Sequence, residues 1–446
     1  MNRARSFFFV CAGLLCLALL PPPAAAAYQQ TDLQGIWESN GLASGPGAPW
    51  WERARTTVAA DGSFTASTTE SSGETGTFQG WFTLWPTGIV TLAASNTFLG
   101  VLDADKTVLV VTDTWSDGSP GTTELKVALK MAGTYGLSDL RGAWELNSIA
   151  SGPGAPWWTR GRLTVAADGS FSGTLIDNQG EPDPQASTFS ITPDGIVTMA
   201  ASSTARGAMD AGRSVLVMTS TWAGGSPGTT DLGVGVKMAG TYSLADLVGR
   251  WEINGLATGP GAPWWSRGHF TVAADGSFTG ATLESNGGGG PISGTFSISP
   301  DGVVTLAGSG TARGVLDAGK TVMVWTSIWS TVSPGTTELD VATKMSGGTT
   351  DVPGEAALGF ALDPVRPNPT RGGALTVHFV LPSAAPARVD LLDVRGRRVA
   401  GREVGSLGAG RHALDLGEGR RLAPGLYLVR LWQSANMRVA RVVVLE

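Results

Sequence analysis

Carboxylates recur along this chain at one spacing of 107 residues, among them Glu38, Glu145 and Glu252; Asp61, Asp168 and Asp275; Asp103, Asp210 and Asp317. Paired carboxylates are the equipment of glycoside hydrolysis, where one acid protonates the leaving group and a second acts as base or nucleophile. The two Asp sets fall in turn sequences (DGSF, and LDADK, MDAGR or LDAGK), and only the Glu set follows a tryptophan within a strand pattern. One strand carboxylate per copy lacks a partner, so hydrolysis stands as the weakest of three functional readings. A G-x-S-x-G match occurs once, at 224–228, and places Ser226 where a nucleophile could sit. The sister copies read DGSPG and TVSPG there, the second copy has no histidine to serve as base, and a nucleophile elbow needs a strand-to-helix turn. Ser226 reads as a turn serine, and no catalytic residue is assigned. The histidines are His269, His378 and His412, never within ligand spacing, and both cysteines, Cys11 and Cys16, lie in the first twenty residues. No metal site and no cofactor are expected.

The residues left with binding potential are aromatic. ASGPGAPWW occurs twice and ATGPGAPWW once, ending in Trp50-Trp51, Trp157-Trp158 and Trp264-Trp265. Successive side chains of a strand point to opposite faces. One ring of each pair can therefore enter a core while the other forms a platform for a sugar face or an apolar ligand. The competing expectation is that the Gly-Pro loop folds inward and buries both rings. Trp37, Trp115 and their counterparts, on strand patterns, are expected in the core.

The elements that must position these residues repeat with the same period. Trp37, Trp144 and Trp251 are 107 residues apart, as are Tyr28, Tyr135 and Tyr242. Each copy alternates β-branched and aromatic runs with turn signals (TVAADGSFSGT, FSITPDGIVTM, AMDAGRSVLVM), about eight short strands in all. The fold class is all-β: three antiparallel units, 28–134, 135–241 and 242–346. Each is expected to close as an eight-stranded barrel, three beads on a string, with a six-bladed propeller or a sandwich as alternatives.

The motif L-x-G-x-W-E at Leu33, Leu140 and Leu247 resembles the opening of lipocalin-type (calycin) barrels. That resemblance implies a short helical turn before the first strand, with its Trp packed near a basic residue of the last strand. Lys130, Lys237 and Lys344 would fill that role.

The ends of the chain differ from its middle. Residues 1–27 read as a signal peptide: Arg3 and Arg5, an apolar stretch from Phe7 to Leu20, then AAAA before Tyr28. No apolar run is long enough for a transmembrane helix. Residues 28–350 carry 28 Asp+Glu against 16 Lys+Arg, a poor match for a phosphate backbone, so nucleic acid is not an expected partner. After a linker at 347–359, residues 360–446 hold PVRPNPTRG, LTVHFVLP, ARVDLLDVRGRRVA, LAPGLYLVRL and ARVVVLE. In this order the pieces resemble the C-terminal sorting domain of the type IX secretion system, related to FlgD-type Ig-like domains. Pro367, Asn368, Pro369, Gly396 and Gly425 carry the motif. The resemblance implies an Ig-like β-sandwich, the outer-membrane secretion machinery as a partner, attachment to surface polysaccharide in many members, and a secreted or cell-surface protein of a Gram-negative bacterium. The functional expectation is an exported, non-catalytic protein whose repeats bind carbohydrate or an apolar ligand, with spacer or adhesive repeats as the alternative.

Overall fold

The computed structural model describes residues 28–446, except 94, 96, 116–120, 224–226, 329–334, 347–360, 363–364, 366–367, 372–374, 382–384, 408–409, 417–421, 434–435 and 446. The signal-peptide, linker, Ser226 and Pro367 assignments lie outside the described residues.

The first unit opens with a 3₁₀ turn, Gln30–Leu33, and continues as β1 (Gly35–Ser44), β2 (Trp50–Val58), β3 (Ser63–Glu70), β4 (Thr75–Leu84), β5 (Ile89–Leu92), β6 (Leu99–Leu102), β7 (Val108–Thr114) and β8 (Thr123–Met131). Neighbours in sequence pair antiparallel, and β1 also pairs with β8, so the sheet closes into a barrel with no free edge. The second and third units repeat this order and close in the same way. The expected barrels are what form. The lipocalin-like opening is present too: Trp37 and Lys130 are cross-strand partners, Lys130 Nζ lies 5.5 Å from the indole centroid, and it donates to Asp32 O at 2.7 Å. The Trp144–Lys237 and Trp251–Lys344 pairs repeat this at 5.6 Å each.

Alternation along the strands then decides what each face meets. On β8, Glu124, Lys126 and Ala128 face the lumen, whereas Leu125, Val127 and Leu129 point outward and are fully buried. An outward apolar row buried this deeply needs a cover, and the other barrels supply it. Leu42, Ile149 and Leu256, from the three β1-type strands, join Val110, Val217 and Val324 and the outward residues of the last strands in one cluster. Burying each such side chain contributes roughly 1.5–3 kcal/mol. The units are therefore not beads on a string. They form a closed ring around a shared core.

Equivalent bonds link each pair of units in turn, including the third to the first. Ala211 N–H donates to Lys130 O at 2.8 Å, Ala318 N–H to Lys237 O at 2.9 Å, and Ala104 N–H to Lys344 O at 2.9 Å. The tyrosine at each unit's start receives the end of the preceding one: Ala132 N–H donates to Tyr135 Oη at 3.1 Å, Ala239 N–H to Tyr242 Oη at 3.2 Å, and Ser346 N–H to Tyr28 Oη at 3.1 Å.

The C-terminal region forms two further sheets, one of three strands and one of five, whose inward residues share a core that includes Val377, Phe379, Val389, Val429 and Val442. Asn368 ties this region's first residues to its last strand, accepting from Val443 N–H at 2.8 Å and donating to Arg441 O at 3.0 Å. Gly396 adopts φ +77° in the turn between Ala387–Asp393 and Arg398–Glu403, Pro369 precedes the strand Thr370–Arg371, and Gly425 opens the strand Gly425–Gln433 of the same five-stranded sheet.

Candidate functional site

Each Gly-Pro loop leads its tryptophan pair into β2 or its equivalent, and the strand splits the pair between two environments. Trp51, Trp158 and Trp265 point outward into the seams between barrels and are buried. Arg53, Arg160 and Arg267, two residues on, stack their guanidinium groups on these indoles at 3.8, 4.2 and 3.8 Å. From there they reach the next barrel. Arg53 donates to Thr204 O at 2.6 Å and Thr219 O at 2.7 Å, Arg160 to Thr311 O at 2.9 Å, and Arg267 to Thr112 Oγ1 at 2.6 Å. Burial lowers the pKa of Arg53 and Arg160 to about 10 and that of Arg267 to about 9. Sequence reasoning did not single out these arginines, although each sits two residues past its pair at the 107-residue period.

The other ring of each pair belongs to the lumen mouth. Trp50 packs edge-on against Trp115 at 5.8 Å, and Trp157 against Trp222 at 5.3 Å. Trp264 is buried at the equivalent position. Trp115 and Trp222 are therefore rim residues and not core. Trp222 is 42% exposed, whereas Trp37, Trp144 and Trp251 are core as expected.

The loops themselves meet one another. Ser44, Gly45, Ala48 and Pro49 line one depression together with Ser151, Gly152, Ala155, Pro156, Thr258, Gly259 and Pro263. Gly152 has φ +125°, and a Cβ there would stand 2.8 Å from Pro49 Cγ of the preceding unit. Gly259 bears the same relation to Pro156, also at 2.8 Å. The GPGAP phrase is thus an inter-unit keystone, and it neither plugs a lumen nor lies free in solvent.

At the opposite end, Asp103, Asp210 and Asp317 are fully buried. Asp103 accepts from its own loop, Thr107 N–H at 2.8 Å and Val108 N–H at 2.9 Å, and from Thr321 Oγ1 of the third unit at 3.2 Å. Burial pushes Asp103 up to about 7 and Asp317 up to about 6, and raises Asp210. Two of the glutamates also serve the seams, whereas Glu252 pairs with Arg250 of its own strand at 2.6 Å. Glu38 pairs with Arg55 at 2.7 Å, and Arg55 continues to Asp194 of the second unit at 3.0 Å. Glu145 repeats this through Arg162 and Asp301. Asp61, Asp168 and Asp275 hold exposed turns, each accepting from a serine two residues on. Among the described residues, no group of three or more His, Cys, Asp or Glu side chains could hold a metal ion. No helix among them is long and apolar enough to cross a membrane.

What remains is the interior of the barrels. The first lumen encloses about 510 Å³, within the range of small-molecule sites. Its floor, next to the 3₁₀ turn, is Leu33 and Trp37; its wall carries Phe64, Phe82 and Phe98, with Phe82 stacked on Phe64 at 4.2 Å. Nearer the mouth stand Glu52, Glu70, Asp113, Glu124 and Lys126, with Trp115 at the rim. The third lumen, about 470 Å³, is lined largely by apolar side chains, among them Phe270, Phe278, Phe296 and Trp325. Glu338 and Asp340 of that barrel, at the positions of Glu124 and Lys126, both accept from Ser266 Oγ, and burial, with Glu338 beside it, raises Asp340 well above the usual carboxylate range.

No protein-family profile matches the chain, and no curated protein matches it. Solved structures similar to it include a transferrin-binding protein B mutant of Haemophilus parasuis, 11% identical, with 73% of this chain and 77% of that one covered at a TM-score of 0.26. The isotype 1 transferrin-binding protein B of Neisseria meningitidis is 10% identical, with 66% of each chain covered and a TM-score of 0.24. A protein of unknown function from Nostoc punctiforme is 9% identical, with 71% and 99% covered and a TM-score of 0.18. At these values the likeness carries no argument, and the functional reading rests on the residues above.

Proposed function

We propose that this is an exported, non-catalytic binding protein whose barrel lumens hold small ligands with an apolar body. The observation that carries the reading is the first lumen: a cavity of about 510 Å³, floored by Leu33 and Trp37, walled by stacked phenylalanines and ringed by charge only near its mouth. A merely structural barrel has no use for such a space, because close-packed interiors leave few voids larger than a water molecule. In this reading Trp50, Trp157 and Trp264 are the ligand-side members of their pairs, while Trp51, Trp158 and Trp265 hold the ring together. Export is supported by the signal-peptide pattern of residues 1–27, and a sorting role for residues 360–446 by the resemblance carried on Asn368, Pro369, Gly396 and Gly425. Delivery through the outer-membrane secretion machinery to the surface or medium of a Gram-negative bacterium follows from that role, and surface polysaccharide is its attachment partner.

The test is a calorimetric titration of the full chain with n-decanol, a neutral apolar probe. Binding is expected, with one site fewer per chain in Ala128→Phe, which fills the first lumen, and in Ala54→Leu, a milder filling of the same wall. An identical titration in both variants, with melting unchanged, would remove the first lumen from the reading.

A further inference from the structure

The first lumen opposes acids in a way its sister barrels do not. Glu52 stands directly opposite Glu70 in the β2–β3 register, and Asp113 directly opposite Glu124 in β7–β8. Like charges in directly opposed strand positions are destabilising. At the same positions the second and third units avoid the conflict by placing a hydroxyl opposite the acid: Thr159 with Asp177, Ser220 with Asp231, Ser266 with Glu284, and Ser327 with Glu338. Ser220 Oγ donates to Asp231 across that pairing. The first barrel twice replaces this arrangement with two carboxylates, and it does so beside its cavity.

One cation stands among the four acids. Lys126 Nζ lies 2.6 Å from Glu52 Oε1, to which it donates, and 3.5 Å from Glu124 Oε1. Asp113 is satisfied locally by Thr97 Oγ1 and by Thr114 N–H at 2.8 Å. Glu124 is not. The residue is 3% exposed, and its Oε1, at the lumen wall, accepts no close hydrogen bond, with Lys126 Nζ standing off at 3.5 Å. A buried charged acceptor left without a hydrogen bond is costly, so this atom is where a bound donor gains most. Burial pushes Glu124 up to about 7, and burial together with Glu52 and Glu74 raises Glu70. Lys126 is the cation that counters both shifts, and it is held closest to Glu52.

We propose that the first lumen selects an organic amine: a cationic ammonium head held by Glu124 and Glu70, with an apolar body laid against Phe64, Phe82 and Phe98. An ammonium supplies three donors and a full positive charge, and the Trp115 ring at the mouth offers a π face for the same cation. This proposal rests on the lumen-binding reading above and adds the charge of the ligand to it.

The experiment compares n-decylamine, n-decanol and decanoate, titrated calorimetrically into the full chain at pH 7. Decylamine is expected to bind about tenfold more tightly than decanol, the scale of one charge-assisted hydrogen bond, and decanoate most weakly. Glu124→Gln, isosteric and uncharged, is expected to erase the amine's advantage while leaving decanol binding in place. Glu70→Gln, less buried, should lower the advantage without touching the fold. Equal binding of amine and alcohol, or an advantage that survives Glu124→Gln, overturns the proposal and leaves the lumen reading standing. If none of the three probes binds, the lumen reading itself fails.

Discussion

The indole Nε1 of Trp51 donates to Thr221 Oγ1 at 2.8 Å, across the seam between the first and second barrels. Trp265 makes the same bond to Thr114 Oγ1 at 2.6 Å, across the seam between third and first. The middle seam departs from the pattern. Ile328 occupies the place in the third unit that Thr114 and Thr221 occupy in the others, and Trp158 Nε1 is buried without a hydrogen-bond partner. A new hydrogen bond there is worth ~1 kcal/mol net. Ile328→Thr is expected to raise the melting temperature of the full chain by roughly 1–2 °C. Thr221→Ile should lower stability by about 1–3 kcal/mol, since it strands a second buried indole N–H. Thermal melts of both variants check the pair.

The glycines of the GPGAP loops give a second expectation. Gly152 combines φ +125°, a region nearly closed to residues with a Cβ, with close approach to Pro49 of the neighbouring unit. Gly180, in a hairpin tip, also has positive φ (+85°), but a Cβ there would meet nothing within 4 Å. Gly152→Ala should therefore cost clearly more than Gly180→Ala, about 2–3 kcal/mol against roughly 1. Denaturant midpoints of the two variants measure the difference, and equal losses would mean the inter-unit contact is slack.

Asp103, Asp210 and Asp317 make stability depend on pH with a definite sign. Their folded pKa values lie above the unfolded carboxylate value of about 3.9. The folded state then holds these protons more tightly, so stability is fullest below about pH 4 as far as these groups are concerned and is lost as pH rises towards 7. Glu124 and Asp231, pushed up by burial to about 7 and about 6, add to the same trend. Melting temperature is expected to fall between pH 5 and pH 7.5, and Asp103→Asn should flatten that slope. A melt series that rises with pH, unchanged by Asp103→Asn, would show that these carboxylates stay ionised on the strength of their backbone donors.

Much of the barrel was legible because its signals are local. A 107-residue period, Asp-Gly turns and alternating strands suffice for eight strands per unit, and Trp37 with Lys130 named the closure. The ring was harder to see, though its trace is present. Leu125, Val127 and Leu129 alternate with Glu124, Lys126 and Ala128, and the equivalent LGVGV at 232–236 is apolar on one face and tiny on the other. An outward row that apolar demands a cover, but sequence alone does not say that the cover is a sister barrel. The lumen acids escaped for another reason. Only carboxylates identical in all three units were weighed as chemistry, whereas Glu52, Asp113 and Lys126 occur in the first alone, and the positions of Glu70 and Glu124 alternate between Glu and Asp. Their opposition depends on strand register, which pairs residues far apart in the chain.

The shared core gives the last expectation. In an isolated second unit, residues 135–241, the barrel can still close, because all eight of its strands are its own. Its outward Ile149, Val215, Val217, Leu232, Val234 and Val236 would then face water. Each exposed side chain forfeits roughly 1.5–3 kcal/mol of burial, and the patch they form invites self-association. The isolated unit is expected to melt well below the full chain and to sediment as an oligomer, while the three-unit ring melts in one transition. Replacing Val217 and Val234 by threonine in the isolated unit should restore the monomer with little effect on its melting. The same two changes in the full chain should destabilise the ring, because there they place hydroxyls in the core between barrels. A monomeric isolated unit as stable as the full chain would mean that the barrels only touch, and that the seams contribute nothing to folding.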